Sequence, residues 1–512
     1  MINKPKAKQE QDPAGALFAL CTAGVFFVVN LFFATRHVMW RDEWMPLVVS
    51  KHTSGYAEFF EHIKYIGRLA YFSFAWILVQ LDDSLLLFKF AIVLISTIGV
   101  FLLCRYAPLS RLQKILFSFG YFTLYEYGTI LRDYSVILAL SIGCCVVLCS
   151  RKWRPLLFCV VVALLFQTNP FGLALGCALA LTFAFDSWRN GRLTRSSLRD
   201  PQLWLGTVIV IVSFVAAVTT MIPPPEITPI ILGQDLRTDS HLARLGESLA
   251  FPIRAWLPVP IFGRWNSQVL DPWPWLQVFL SIGVAALIAC VIATSRTALF
   301  LFLIGLLGVG MLLCHLPWTA MRYHGPYFIL AVLSYWIYLR DSAMGRLAED
   351  GARWREWLRA GAGSVLTAVL AVHVSVAALL LAQEQLVPFS GSRDAARIIS
   401  ETGGPDPVVV GDPDYLMIPL SGYLGREVYI ASRGEMGSFT KVDAKRRGTP
   451  LSPQELSQVV SDVMAKHQRD IILVTPYELS LPSSVGSLLG AARGSTDESY
   501  MIYKLFCPRG SP

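Results

Sequence analysis

Two adjacent carboxylates, Asp42 and Glu43, stand in the run Trp40-Arg41-Asp42-Glu43-Trp44, directly after an apolar stretch from Ala14 to Ala34. A stretch of that length can cross a bilayer as a helix of about twenty residues. The pair is therefore expected at a membrane surface, where charge is costly unless it is paired, hydrated or used. A carboxylate so placed can serve as general base, taking the proton from an attacking hydroxyl. The competing reading is an interfacial stop, in which the charges and two belt tryptophans simply end the helix. Asp42 is the expected base, with Glu43 as its partner or as the base itself.

Such a base has a use when a phosphate leaves on the other side of the reacting carbon, because cations then stabilise the charge that grows there. Arg68, Arg132, Arg322 and His324 are the expected phosphate-side groups, with Lys64 and Tyr134 as further candidates. Each arginine taken singly could also be a snorkelling interfacial residue. Neither HxxxH, CxxC nor CxxH occurs, so no metal or other cofactor is expected, and no Walker or dinucleotide fingerprint is present.

These residues need a membrane scaffold, and the composition supplies one. The 512 residues are 54% hydrophobic and their mean hydropathy is +0.51, the balance of a polytopic membrane protein. The formal charge of +8 is read as membrane orientation, not as affinity for nucleic acid. Nine of the ten cysteines fall in or beside apolar segments and read as small packing residues. Further apolar segments run 85–104, 112–125, 131–149, 156–166, 171–185, 203–222, 273–293, 298–316, 323–339 and 361–382, which with the first gives about eleven crossings. The stretch 69–81 is read as interfacial or re-entrant. On that count the basic loops around Lys4, Arg105, Arg151, Arg189 and Arg340 share one face, as the positive-inside rule requires. The N-terminus is then cytoplasmic, the apolar run is a retained anchor, and Asp42 lies on the outer face.

The outer face would collect the first loop, 35–84, with an amphipathic helix near Glu58 to Ile66 lying in the interface plane. It would also collect the segment 126–134, the Pro-rich loop 223–272 and the segment 315–324. The long loop, with Trp256 and Trp265, is read as a candidate lid. After Ala382 the pattern changes to short strands at 408–410, 428–430, 471–474 and 500–503, with helices at 393–401 and 453–467. The chain thus divides into a transmembrane part, 1–384, and a small α/β domain outside the membrane, 385–512. Gly411-Asp412-Pro413-Asp414 reads as a turn after the first strand.

Arg41-Asp42-Glu43, an interfacial helix and Tyr65-Ile66-Gly67-Arg68 together resemble the first outer loop of the GT-C class of integral membrane glycosyltransferases. That class includes the protein O-mannosyltransferases and the lipid A aminoarabinose transferases. Arg132-Asp133-Tyr134, Gln167-Thr168-Asn169-Pro170-Phe171-Gly172 and Arg322-Tyr323-His324-Gly325 resemble later stretches of bacterial members. So does Gly411 to Tyr415 with Ser421 to Arg426 in the tail. The resemblance implies a mainly α, GT-C-like helical bundle in the bacterial inner membrane, multi-pass, with its C-terminal domain in the periplasm. It implies inverting transfer of a sugar from a polyprenyl-phosphate donor to a glycan or glycolipid acceptor, with membrane lipid as a further partner. Many relatives carry His-Pro-Pro or His-Pro-Gly where this chain has Ile66-Gly67-Arg68, and Arg68 is the natural replacement for the lost histidine. The alternative function is a polytopic transporter or a lipid- or polysaccharide-translocating protein, to which a polar break at Gln167 to Pro170 would be suited. A third is an assembly or sensory subunit working through its tail.

Overall fold

The structure is a computed structural model that describes residues 13–150, 152–224, 241–316, 320–348, 353–404, 406–443, 445–447 and 449–507. Its first part is helical: α1 (Pro13–Arg36), α2 (Arg41–Lys51), α3 (Tyr56–Ile63), α4 (Leu69–Leu81), α5 (Leu85–Tyr106), α6 (Arg111–Ser118), α7 (Tyr134–Cys149), α8 (Pro155–Phe166), α9 (Pro170–Arg189) and α10 (Pro201–Met221). Helices His241–Trp256, Pro274–Ile292, Arg296–His315, Met321–Ala343 and Arg353–Leu386 follow. Among the described residues seven helices are long and apolar enough to cross a membrane, and α4, α7 and α8 are shorter apolar helices. The chain is a multi-pass membrane protein.

Where the helices stop follows from local chemistry. Pro155, Pro170 and Pro201 occupy first turns, where the missing N–H costs nothing. Ser84, Asn169, Asp200 and Ser295 cap helix starts by accepting backbone N–H bonds. The expected single crossing over 112–125 is corrected: α6 ends at Ser118 and a fully buried π-helical segment, Tyr121–Thr129, takes over after Gly120. A Cβ on Gly120 would come within 3.1 Å of both the His373 side chain and the Leu116 carbonyl, a tight fit at the break. The break at Gln167 to Asn169 falls where the sequence places it, between α8 and α9.

At one end of the bundle a buried ion network joins three helices. Arg340 lies 2.8 Å from Asp186 and 2.7 Å from Asp341, while Ser295 and Thr297 donate to Asp341 and Asp186 respectively. One guanidinium serves two carboxylates, each of which also accepts a hydroxyl bond, and we read the network as a staple. At the opposite end lie α2 to α4 and the C-terminal domain.

That domain is a six-stranded sheet in the order β3-β2-β1-β4-β6-β5, with β1 Val408–Gly411, β2 Val428–Ile430, β3 Glu435–Gly437, β4 Ile471–Thr475, β5 Gly486–Ala492 and β6 Tyr500–Leu505. β1 pairs in parallel with β2 and β4, and the other pairings are antiparallel. Helices Ser392–Thr402, Asp414–Leu424 and Pro453–His467 cover it. Asp412 to Asp414, read from sequence as a turn, leads directly into the second of these. The helix Asp414–Leu424 seats the domain on α2: Gly422 lies against the Trp44 indole, where a Cβ would approach to 2.4 Å, and the Tyr423 hydroxyl accepts the Met39 N–H at 3.0 Å.

Candidate active site

The site is built at the N-terminus of α2. Glu43 is fully buried and reaches back to accept the Trp40 N–H at 3.1 Å, as the third residue of a capping box does. Its other oxygen accepts the Leu131 N–H at 2.6 Å. One carboxylate thus ties the start of α2 to the residue before Arg132. His37 donates from Nε2 to the same Glu43 at 2.9 Å, and its Nδ1 makes a second hydrogen bond with Glu384. Burial alone would hold the His37 pKa down, but Glu384 and Glu43 outweigh it and raise it to about 9. With a carboxylate at each nitrogen the ring is an imidazolium.

Asp42 points the other way, its side chain 28% exposed. It is ion-paired with Arg132, and the Arg322 Nη2 lies 3.8 Å from the same carboxylate oxygen. Both guanidiniums sit over the Trp40 ring, at 4.5 Å and 5.5 Å from its centroid. Trp40 is buried and is held edge-on by Trp265 at 4.8 Å. Among the described residues, Arg132 Nε and Arg322 Nε and Nη1 are buried donors with no hydrogen-bond partner. Buried donors without partners are rare and costly. Here they belong to two cations that converge on one carboxylate, the arrangement an incoming anion would complete.

Next to this pair, Asp133 is fully buried, accepts a bond from Asn169 Nδ2 at 2.5 Å and lies 3.8 Å from Arg68 Nε. Asn169 uses its oxygen to cap α9 through Phe171 and Gly172. The Gln167 carbonyl accepts the Ala70 N–H at 3.0 Å, so the break between α8 and α9 is stitched to the loop that carries Arg68. Tyr134 is buried and stacks on Tyr127 at 5.0 Å, whose hydroxyl donates to the Arg322 carbonyl at 2.8 Å. The tyrosine wall therefore positions Arg322.

Of the residues singled out in the sequence, Asp42, Arg132 and Arg322 come together, with Arg68 beside Asp133 next to them. Glu43 is adjacent in sequence but is enclosed by backbone amides and His37. Lys64 pairs with Glu61 in its own helical turn, and His324 is buried with its ring 4.8 Å from that of Phe251; among the described contacts neither touches Asp42. Much of the candidate lid, 225–240, lies outside the described residues, as do 317–319. The rest of that loop holds the helix His241–Trp256 and brings Trp265 onto the site. Sequence reasoning missed His37, Glu384 and the role of Trp40. No spacing signals His37 with Glu384, since they are 347 residues apart.

The C-terminal domain also grips this helix start. Arg41 pairs with Asp497 at 2.8 Å, and its backbone N–H donates to Glu498 at 3.0 Å. Burial pushes the Glu498 pKa up to about 7 against the pull of Arg41 and of its bonds from Ser390 and that N–H.

No protein-family profile matches the chain, and no curated protein sequence matches it. Among solved structures it is similar to ArnT from Cupriavidus metallidurans bound to undecaprenyl phosphate, at 12% identity and a TM-score of 0.48, over 97% of this chain and 99% of that one. At so low a similarity, what this chain does has to be read from its own side chains.

Proposed function

We propose that the protein is an inverting membrane glycosyltransferase of the GT-C class. It would transfer a sugar from a polyprenyl-phosphate donor to a glycan or lipid-linked acceptor at the outer face of a bacterial inner membrane. The observation that carries this reading is the convergence of two buried arginines, Arg132 and Arg322, on the half-open carboxylate of Asp42 over one indole. In the resting site the carboxylate occupies the guanidiniums. An arriving phosphate competes for them through its own oxygens, and Asp42 is released to accept a proton. The acceptor hydroxyl oxygen then bonds to the anomeric carbon and gives its proton to Asp42, while the sugar–phosphate bond breaks with its electron pair on the phosphate oxygen. Arg132 and Arg322 stabilise that charge, and Arg68, held near Asp133, is the third cation in reach of it. Glu43 holds the base in place without touching substrate. Lys64, paired with Glu61, and His324, buried against Phe251, take no part in this step. In this reading the N-terminus is cytoplasmic, and the C-terminal domain is periplasmic and braces the start of α2.

The test is transfer from a radiolabelled polyprenyl-phosphate sugar in proteoliposomes, comparing wild type with Asp42→Asn. Loss of a positioned base costs about a hundred- to ten-thousandfold; wild-type turnover in Asp42→Asn would remove the proposal. A transporter would instead move solute down a gradient, with no need of a sugar-phosphate donor.

A further inference from the structure

Behind α2, on the side away from Asp42, a cavity of about 420 Å³ opens between the ends of two lipid-facing helices, α1 and Arg353–Leu386. Thr35, Arg36, Glu384, Gln385, Arg393 and Asp394 line it. Below it α1 exposes Val25, Val28 and Phe32, and the other helix exposes Leu379. The cavity therefore stands at the boundary where acyl chains meet head groups.

Glu384 decides what it can hold. Its side chain is only 7% exposed; one oxygen binds His37, and among the described residues the other is buried without a hydrogen-bond partner. His37 is a single imidazolium serving two carboxylates, and the buried Lys89 ammonium, which donates to the Ala34 and His37 carbonyls, balances the second of them. A buried carboxylate oxygen left bare calls for a donor. Arg36 and Arg393 stand at the same rim and are exposed, and their guanidiniums suit a phosphodiester. Two cations and two carboxylates line the space, so its formal charge is balanced, and a head group that is itself a zwitterion leaves it so.

We propose that this cavity binds the head group of phosphatidylethanolamine, its phosphodiester at Arg36 and Arg393 and its ammonium at Glu384. A trimethylammonium group lacks the N–H donors that Glu384 requires, and a glycerol head group offers it only neutral hydroxyls in place of a charged donor. The site is separate from Asp42 and stands whether or not the chain transfers sugar.

The experiment is native mass spectrometry of the full-length protein in detergent micelles doped in parallel with phosphatidylethanolamine, phosphatidylcholine or phosphatidylglycerol. Wild type is expected to retain one ethanolamine lipid per chain at least tenfold more strongly than either of the others. Arg393→Ala, an exposed position, and Glu384→Gln should each lower that retention about tenfold. Equal retention of choline or glycerol lipid by wild type overturns the proposal, as does undiminished ethanolamine-lipid retention in Arg393→Ala.

Discussion

Asp42 and Glu43 are neighbours with opposite expected responses to loss of charge. Replacing Glu43 by Gln leaves one amide oxygen for the N–H groups of Leu131 and Trp40 and turns an NH2 group toward another donor. His37 at the same time loses one of its two carboxylates. Breaking a fully buried charge pair by removing one partner costs about 3–5 kcal/mol, and nothing at this site is open to solvent to soften it. Asp42 is 28% exposed, so water screens part of its loss, but the buried Arg132 and Arg322 are left without their carboxylate, and Asp42→Asn should cost about 1–3 kcal/mol. Its expected effect is on rate instead: about a hundred- to ten-thousandfold, or roughly 3–5 kcal/mol in the barrier. The assay pairs denaturant unfolding in detergent with transfer in proteoliposomes, and adds amide exchange at Leu131 as the local readout. Glu43→Gln should accelerate that exchange and lower stability. Asp42→Asn should leave exchange nearly unchanged and abolish transfer. If Glu43→Gln stays as stable as wild type yet inactive, Glu43 is the base and the division of labour is wrong.

Raising pH should weaken the fold through His37. Its pKa is raised from 6.5 to about 9, so its contribution is fully present below about 6.5 and is lost as pH rises through about 9. The shift corresponds to roughly 3 kcal/mol, and His37→Gln should flatten the stability profile across that window. Removing the carboxylate that neutralises two arginines should also make Asp42→Asn bind inorganic phosphate more tightly than wild type, measurable by calorimetry; weaker binding would show that the arginines do not hold an anion. Gly422→Ala places a methyl group against the Trp44 indole and should cost about 1–3 kcal/mol. Protease cleavage between the helix ending at Leu386 and the C-terminal domain should rise with it; an unchanged digestion pattern would count against domain seating as the cause.

The elements of the site were legible where a single rule governs. Hydropathy found the long helices, and charge counting leads one to expect Asp42, Arg68, Arg132 and Arg322 on one outer face; the structure brings Asp42, Arg132 and Arg322 together. Short apolar runs set between turn residues located β1, β2, β4 and β6. Strand β5, with the sequence GSLLGAA, carries two glycines and no β-branched residue, so it has no strand signal, and it forms because β6 offers it a partner edge. The helix Asp414–Leu424 hid behind its turn-like start and an internal Pro419. The roles of the two acids were illegible for a plainer reason: both are acidic residues in one helical turn, and only the position of Leu131 and His37 decides which is sealed in.

The break between α8 and α9 has a consequence for depth. α8 has 12 residues and rises about 18 Å, whereas the apolar layer is about 30 Å thick. α7, with 16 residues, climbs about 24 Å to Tyr134. In the proposed reading, with the far ends of α7 and α8 at the cytoplasmic interface, Asn169, Asp133 and the arginines beside them would rest several ångströms below the level of the surrounding lipid, at the floor of a well. On that reading a prenyl phosphate sliding in from the side would meet its cations without having to climb into bulk water, and a thicker bilayer would deepen the well and slow the approach of a water-borne acceptor.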